Sequence, residues 1–141
     1  MQHWVSRITT QHNSLDARLS TVFLHAAWGA MDSARREFEF FRTDLDAHLH
    51  ESERELFASL VALDERELAL ERVEWRAHVR DLQRVALAVE RELTAPSDTV
   101  LYESFGVLRR EIRRHCNHDE RLQRLARGTS NGAPLPEAVH S

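Results

Sequence analysis

The sequence predicts an all-α protein, folded as an up-down-up-down four-helix bundle. Apolar residues recur at alternating steps of three and four along four long stretches, which is the spacing of a helix buried on one side. Helix-breaking residues are scarce, with only four glycines and three prolines in 141 residues. Three breaks separate the stretches, which argues against one continuous coiled coil.

The composition fits one helical domain. Charged residues make up 30% and hydrophobic residues 42% of the chain, which is long enough to bury a core. The net charge of −4 argues against a general binder of nucleic acid or of anionic membranes. The single cysteine, Cys116, excludes an internal disulfide, and no secretory signal or membrane span is recognisable. We therefore expect a cytoplasmic protein.

The first helix is expected over about residues 5–28, because one face carries a continuous stripe that can be buried. Gly29 ends this helix, and Asp32 or Ser33 is expected to cap the next one. The stripe consists of Ile8, His12, Leu15, Leu19, Val22 and Ala26.

The second helix is expected over residues 34–63. Its stripe places an imidazole, His48, where a leucine would be usual. The stripe residues are Ala34, Phe38, Phe41, Leu45, His48 and Ser52.

The third helix is expected to begin after Asp64, which forms an N-terminal capping pair with Glu67. Its end is marked by the Pro-containing segment 94–98. The stripe residues are Leu68, Trp75, His78, Leu82, Val85 and Val89.

The fourth helix is expected to follow that segment and to end at Gly128. Residues 1–128 would then form the bundle, and residues 129–141, rich in Gly, Pro, Ser and Asn, a disordered tail. The stripe residues are Leu101, Phe105, Leu108, Ile112, His115, Asp119, Leu122 and Ala126.

Each predicted helix contributes one histidine to the same level of the bundle. Helices joined by short loops run antiparallel, so residues equidistant from a loop lie at equal height. The midpoints between His12 and His48, His48 and His78, and His78 and His115 fall in or beside the three predicted loops. The spacing therefore predicts four inward imidazoles in one layer.

A metal ion explains such a layer better than ordinary packing does. A lone buried histidine is usually structural, but four packed together must find acceptors or remain unsatisfied. Asp119 lies four residues after His115 on the same face, where an unpaired carboxylate would be costly. Histidine and carboxylate donors suit iron, with manganese or zinc as alternatives. The predicted ligands are His12, His48, His78, His115 and Asp119.

The remaining polar candidates receive the ordinary interpretation. Cys116 points away from the stripe, so we do not expect catalysis or redox sensing there. The arginines of the fourth helix are expected to form a solvated face. His25 lies one position from its stripe. Four histidines lie off the stripes and are expected to be solvated: His3, His50, His118 and His140.

At these residues the chain resembles the hemerythrin-like, HHE cation-binding domains, over about residues 8–127. The resemblance implies a non-haem iron site, typically with two irons, and binding or sensing of oxygen, nitric oxide or iron, or protection against iron and nitrosative stress. Its ligands would be a metal ion and a diatomic gas; a homodimer or a protein partner is compatible with it. The matching parts are residues 12–16, His48 with Glu53 and Leu56-Phe57, His78, and His115 with Asp119-Glu120.

Two departures from the family pattern shape the functional prediction. Ser52 stands where the family has a carboxylate, and a serine cannot bridge two cations, so we expect one ion or an incomplete pair. Leu82 replaces a second histidine found in oxygen carriers, which disfavours reversible oxygen carriage. We therefore expect a non-enzymatic iron-binding domain for sensing or stress response. The alternatives are a metal-free bundle acting as an interaction or oligomerisation module and, less favoured, a redox enzyme.

Overall fold

The computed structural model describes residues 2–95 and 98–130, with side chains over residues 7–95 and 100–128. Within this part of the chain the protein is a four-helix bundle without β-strands, which confirms the predicted fold class. None of the described helices is both long and apolar enough to cross a membrane. The helices are α1 (Gln2–Ala27), α2 (Met31–Ser59), α3 (Glu65–Thr94) and α4 (Asp98–Ser130).

Gly29 produces the turn between α1 and α2, as predicted. Its φ is 78°, in the left-handed region that favours glycine. Gly29 N–H donates to the carbonyl of Ala26, and the following N–H donates to the carbonyl of His25, so the turn is a Schellman motif. The predicted cap of α2 was wrong, because Asp32 and Ser33 lie inside the helix, whose N-cap makes no side-chain hydrogen bond.

The turn between α2 and α3 begins earlier than predicted. α2 ends at Ser59 rather than at residue 63, and Ser59 Oγ donates to the carbonyl of Glu55 at 2.7 Å. The start of α3 is confirmed. Asp64 accepts from Glu67 N–H at 2.8 Å, and Glu67 Oε1 accepts from Asp64 N–H at 3.3 Å, which completes a capping box.

The end of α4 lies beyond the predicted one. The helix continues through Gly128 to Ser130, so the first residues of the predicted tail are helical. Residues 131–141, the rest of that tail, lie outside the described residues.

The core is built where the buried stripes of the helices meet. α1 packs mainly on α2, and α3 mainly on α4, while α1 meets α4 only lightly. The stripes of α2 and α4 are buried as predicted. On α3 the stripe is shifted, so that His78 and Val85 are only partly buried. The buried residues of α3 are Trp75, Leu82, Ala86, Val89 and Leu93.

Candidate metal centre

Four of the five predicted ligands meet inside the bundle. They are His12 on α1, His48 on α2, and His115 and Asp119 on α4. Asp119 is fully buried, His48 and His115 are 1% and 2% exposed, and the side chain of His12 is 10% exposed. Their ligand atoms all lie within 4.8 Å of one another. This buried group, called the His₃Asp cluster below, could hold a metal ion.

All three imidazoles of the His₃Asp cluster present Nε2 to one carboxylate oxygen. His12 Nε2 and His115 Nε2 each lie 3.0 Å from Asp119 Oδ2. His48 Nε2 lies 3.3 Å from the same oxygen and 3.2 Å from His115 Nε2. One oxygen offers two lone pairs, so it can accept well-aligned bonds from at most two of the three imidazoles. The third imidazole nitrogen therefore faces the carboxylate without a hydrogen bond to it, as a metal ligand does.

The spacing within the cluster matches ligands around a single ion. Histidine nitrogens and carboxylate oxygens bind zinc at about 2.0–2.2 Å, so tetrahedral ligands stand about 3.3–3.5 Å apart. Four of the six separations between the ligand atoms, from 3.0 to 3.3 Å, are only slightly shorter, and all six are within 4.8 Å. Imidazole nitrogens and a carboxylate are also a donor set that divalent transition metals accept. These four distances and the donor chemistry are compatible with one ion.

Burial and neighbouring groups shift the pKa values of His48 and Asp119. Burial is the largest influence on the pKa of His48 and lowers it, whereas the hydrogen bond with Asp119 opposes this shift. Burial alone would raise the pKa of Asp119, but the charge of His115 and hydrogen bonds from His115 and His12 hold it well below its usual value. For His48 and Asp119 these shifts favour a neutral imidazole beside an ionised carboxylate, which is the state that metal binding requires.

Three side chains outside the ligand set contact it directly. Trp75 Nε1 donates to Asp119 Oδ1 at 3.3 Å, which leaves Oδ2 facing the histidines. Gln11 Oε1 lies 2.7 Å from His48 Nδ1. Ser52 Oγ, fully buried, lies 3.4 Å from His48 Nε2, so the position that lacks the expected carboxylate does face the cluster. Contacts of this kind orient metal ligands.

His78 is not part of the His₃Asp cluster. Its Nδ1 lies 2.9 Å from Nδ1 of His118, with the rings in an edge-to-face arrangement. His118 was expected to be solvated, but only 5% of it is exposed. That prediction was wrong because α4 contacts all three other helices, so its buried surface is wider than one stripe. The structure thus places His78 in a second, separate histidine group.

Arg121 fills the space beside this second group. It donates to the two carboxylate oxygens of Glu71 at 3.2 and 2.7 Å, and its Nη2 lies 3.0 Å from His118 Nε2. The carboxylates of Glu71 and Glu74 lie close enough to His118 for the three to be considered as metal ligands. A permanent positive charge between these groups opposes a bound cation. We interpret the group as a hydrogen-bonded link between α3 and α4.

The other candidates are placed largely as expected. Burial, followed by the negative charge of Asp119, raises the pKa of Cys116 to about 12, which disfavours a reactive thiolate. His50 is exposed and His25 is partly buried. The side chains of His3 and His140 lie outside the described residues.

Gln11 and Trp75 are the site residues that the sequence did not reveal. Trp75 was assigned to the core from its spacing, and spacing gives no sign that its N–H meets a carboxylate. Gln11 precedes His12 and is only partly buried, so it lies at the edge of the stripe. The available signal for Gln11 was its polar side chain directly before a predicted ligand, on the flank of α1 that faces the neighbouring helix.

The resemblance to hemerythrin-like domains stays a prediction. Comparisons of the chain with protein-family models, with curated proteins and with solved structures find no match. The functional interpretation therefore depends on the side chains of the His₃Asp cluster themselves.

Proposed function

We propose that the protein binds one divalent transition-metal ion at the His₃Asp cluster and uses its occupancy as a signal. The observation that carries this proposal is the convergence of three Nε2 atoms on Asp119 Oδ2, at 3.0, 3.0 and 3.3 Å. The ligands would be His12, His48, His115 and Asp119, without His78.

Iron(II) is the proposed ion. The resemblance to hemerythrin-like domains favours iron, and imidazole with carboxylate is a suitable donor set for it. Zinc is the competitor, because four protein donors complete the tetrahedron that zinc prefers. One ion is proposed rather than two, since Ser52 supplies a hydroxyl where a bridging carboxylate would be needed. A single-ion site of this kind does not favour oxygen carriage.

The distribution of the ligands over three helices supports a sensing or stress-response role. The donors come from α1, α2 and α4, and α1 otherwise packs lightly on α4. An ion held by all three helices would therefore add a bond across the weakest of these contacts. Binding to the folded state alone stabilises it by an amount that grows with free metal concentration. Occupancy of the site would thus determine how firmly α1 packs on α4.

The test compares two histidines of α2. Protein produced without a histidine tag is stripped with a chelator and titrated anaerobically with ferrous iron, and separately with zinc. Bound metal is measured by elemental analysis, and packing of α1 by hydrogen exchange. Wild type should bind one equivalent, with α1 amides protected in the loaded form. His48→Ala should abolish binding, and His50→Ala, at an exposed position two residues away, should leave it intact.

The outcomes separate the alternatives. Equal binding by His48→Ala and His50→Ala would show that the ion is held elsewhere. Clean absence of metal from wild-type protein under iron-replete expression would favour the metal-free interaction module. If the wild-type protein retains zinc alone, and more tightly than iron, the proposed site stands and its ion is zinc.

A further inference from the structure

A line of polar side chains leads from the α1–α2 surface to the buried imidazole of His48. Arg7 forms an ion pair with Glu51. Glu51 Oε2 accepts a hydrogen bond of 2.7 Å from Gln11 Nε2, and Gln11 Oε1 lies 2.7 Å from His48 Nδ1. These are short contacts, and only the last member is fully buried. We call Arg7, Glu51 and Gln11 the α1–α2 relay.

The donors and acceptors of the relay have one consistent arrangement. A carboxylate paired with a guanidinium can only accept, so the atom that Gln11 presents to Glu51 must be its NH₂ group. The amide oxygen of Gln11 then faces His48, and an amide oxygen can only accept. Nδ1 of His48 must therefore carry the hydrogen. In a neutral imidazole the lone pair is then on Nε2, which faces the His₃Asp cluster.

His115 belongs to the same cluster but differs from His48 at its second ring nitrogen. Its Nδ1 is buried and has no hydrogen-bond partner among the described residues. Its tautomer is therefore not fixed from outside, whereas that of His48 is. In metal sites, a partner on the second ring nitrogen fixes the tautomer and orientation of the ligand and raises its basicity.

We propose that Gln11 is a positioning residue that holds His48 in the Nδ1–H tautomer, with its Nε2 lone pair directed at the bound ion. Glu51 orients the amide of Gln11, and Arg7 holds Glu51. This inference rests on the proposed metal binding at the same cluster. The relay also explains how Glu51, which is turned away from the stripe of α2, acts on the site without being a ligand.

The first experiment measures the tautomer directly, in the metal-free protein. Long-range ¹H–¹⁵N correlation spectra distinguish Nδ1–H from Nε2–H imidazoles, and the His48 signals are assigned by their loss in His48→Ala. Wild type should show His48 with Nδ1–H. Gln11→Leu removes the acceptor and should shift His48 to the Nε2–H form or to a mixture. Gln83→Leu, at an exposed position on α3, is the matched control and should leave the His48 signals unchanged.

The second experiment measures the affinity for zinc and for ferrous iron. Gln11→Leu should weaken binding by about 10- to 100-fold, the usual effect of removing such a partner, and Gln83→Leu should not. Gln11→Glu alone places two carboxylates against each other and should also weaken binding. The double variant Gln11→Glu with Glu51→Gln exchanges the two groups. In this double variant the carboxylate at position 11 accepts from His48 Nδ1–H. The amide at position 51 donates to that carboxylate and accepts from Arg7, so the double variant should restore affinity.

The rescue makes the inference independent of any general loss of stability. Unchanged affinity and an unchanged His48 tautomer in Gln11→Leu would overturn it, as would failure of the exchanged pair to bind better than Gln11→Glu. If wild type binds no metal while the tautomer still depends on Gln11, the proposed function fails and the positioning of His48 stands.

Discussion

His12 and Asp119 are 107 residues apart in the chain, yet His12 Nε2 lies 3.0 Å from Asp119 Oδ2. This contact joins α1 to α4, which otherwise meet only lightly. Asp119 is fully buried, so removing its partners would leave a charge without compensation inside the bundle. The contact therefore links the packing of α1 to the state of the His₃Asp cluster.

Two buried histidines of α4 should separate metal binding from stability. His115→Ala and His118→Ala both truncate an imidazole that is at most 5% exposed, so each should lower the free energy of unfolding of the metal-free protein by about 1–3 kcal/mol. Only His115→Ala should lose bound metal. His78→Ala should also keep it, because His78 faces His118. Elemental analysis and urea denaturation give both quantities. Loss of metal from His118→Ala would mean that the second histidine group belongs to the site.

Trp75 should contribute to stability through its N–H group as well as through its bulk. Trp75→Phe keeps an aromatic ring but removes the donor to Asp119 Oδ1, and a buried carboxylate that loses a partner costs about 1–3 kcal/mol. Trp28→Phe is the control, since Trp28 is 76% exposed and its replacement should change the free energy of unfolding by less than about 0.5 kcal/mol. Urea denaturation of the metal-free proteins measures both. Equal stability of the two variants would contradict the role of the Trp75 hydrogen bond.

The fold could be predicted from the sequence because helix periodicity and end signals are local. The stripe of α4 from Leu101 to Ala126, the turn at Gly29 and the capping box at Asp64 each depend on residues within a few turns of one another. The end of α2 was misplaced because neither glycine nor proline marks it.

The candidate site was predictable only in part. His12, His48 and His115 lie on regular stripes, so counting from the loops placed them together. His78 was misplaced because the buried stripe of α3 is rotated relative to the predicted one. A rotation of a helix about its own axis does not change the spacing of residues along the chain, so the spacing does not reveal it. The partners of His48 and Asp119, Gln11 and Trp75, depend on contacts between helices, which a periodic pattern does not contain.

Cys116 should react slowly while the protein is folded. Burial is the main reason that its pKa is raised to about 12, and the negative charges of Asp119, Glu120 and Asp16 act in the same direction. At pH 8 about one thiol in ten thousand would then be the reactive thiolate. Alkylation by iodoacetamide, followed by mass spectrometry, should be at least about 100-fold slower in buffer than in denaturing urea. Comparable rates in the two conditions would show that the thiol is accessible and ionised.

Ser52 offers the sharpest distinction between a metal site and a metal-free bundle. Its side chain is fully buried, and its Oγ lies 3.4 Å from His48 Nε2. Ser52→Glu would place a carboxylate beside the His₃Asp cluster. Without metal this second buried carboxylate lacks a cation and should lower the free energy of unfolding by about 2 kcal/mol or more, or raise its own pKa.

With ferrous iron the same substitution should have the opposite effect. An additional carboxylate offsets positive charge and can bridge cations, so Ser52→Glu should raise iron occupancy and favour a second ion. Melting temperature and bound iron are compared for wild type, Ser52→Glu and Ser14→Glu, the last at an exposed position on α1, each with and without iron. Iron-dependent recovery of the melting temperature in Ser52→Glu alone supports a metal site that one serine has weakened. Destabilisation that iron does not reverse would instead support the metal-free interaction module, because such a bundle has no cation to compensate the buried charge.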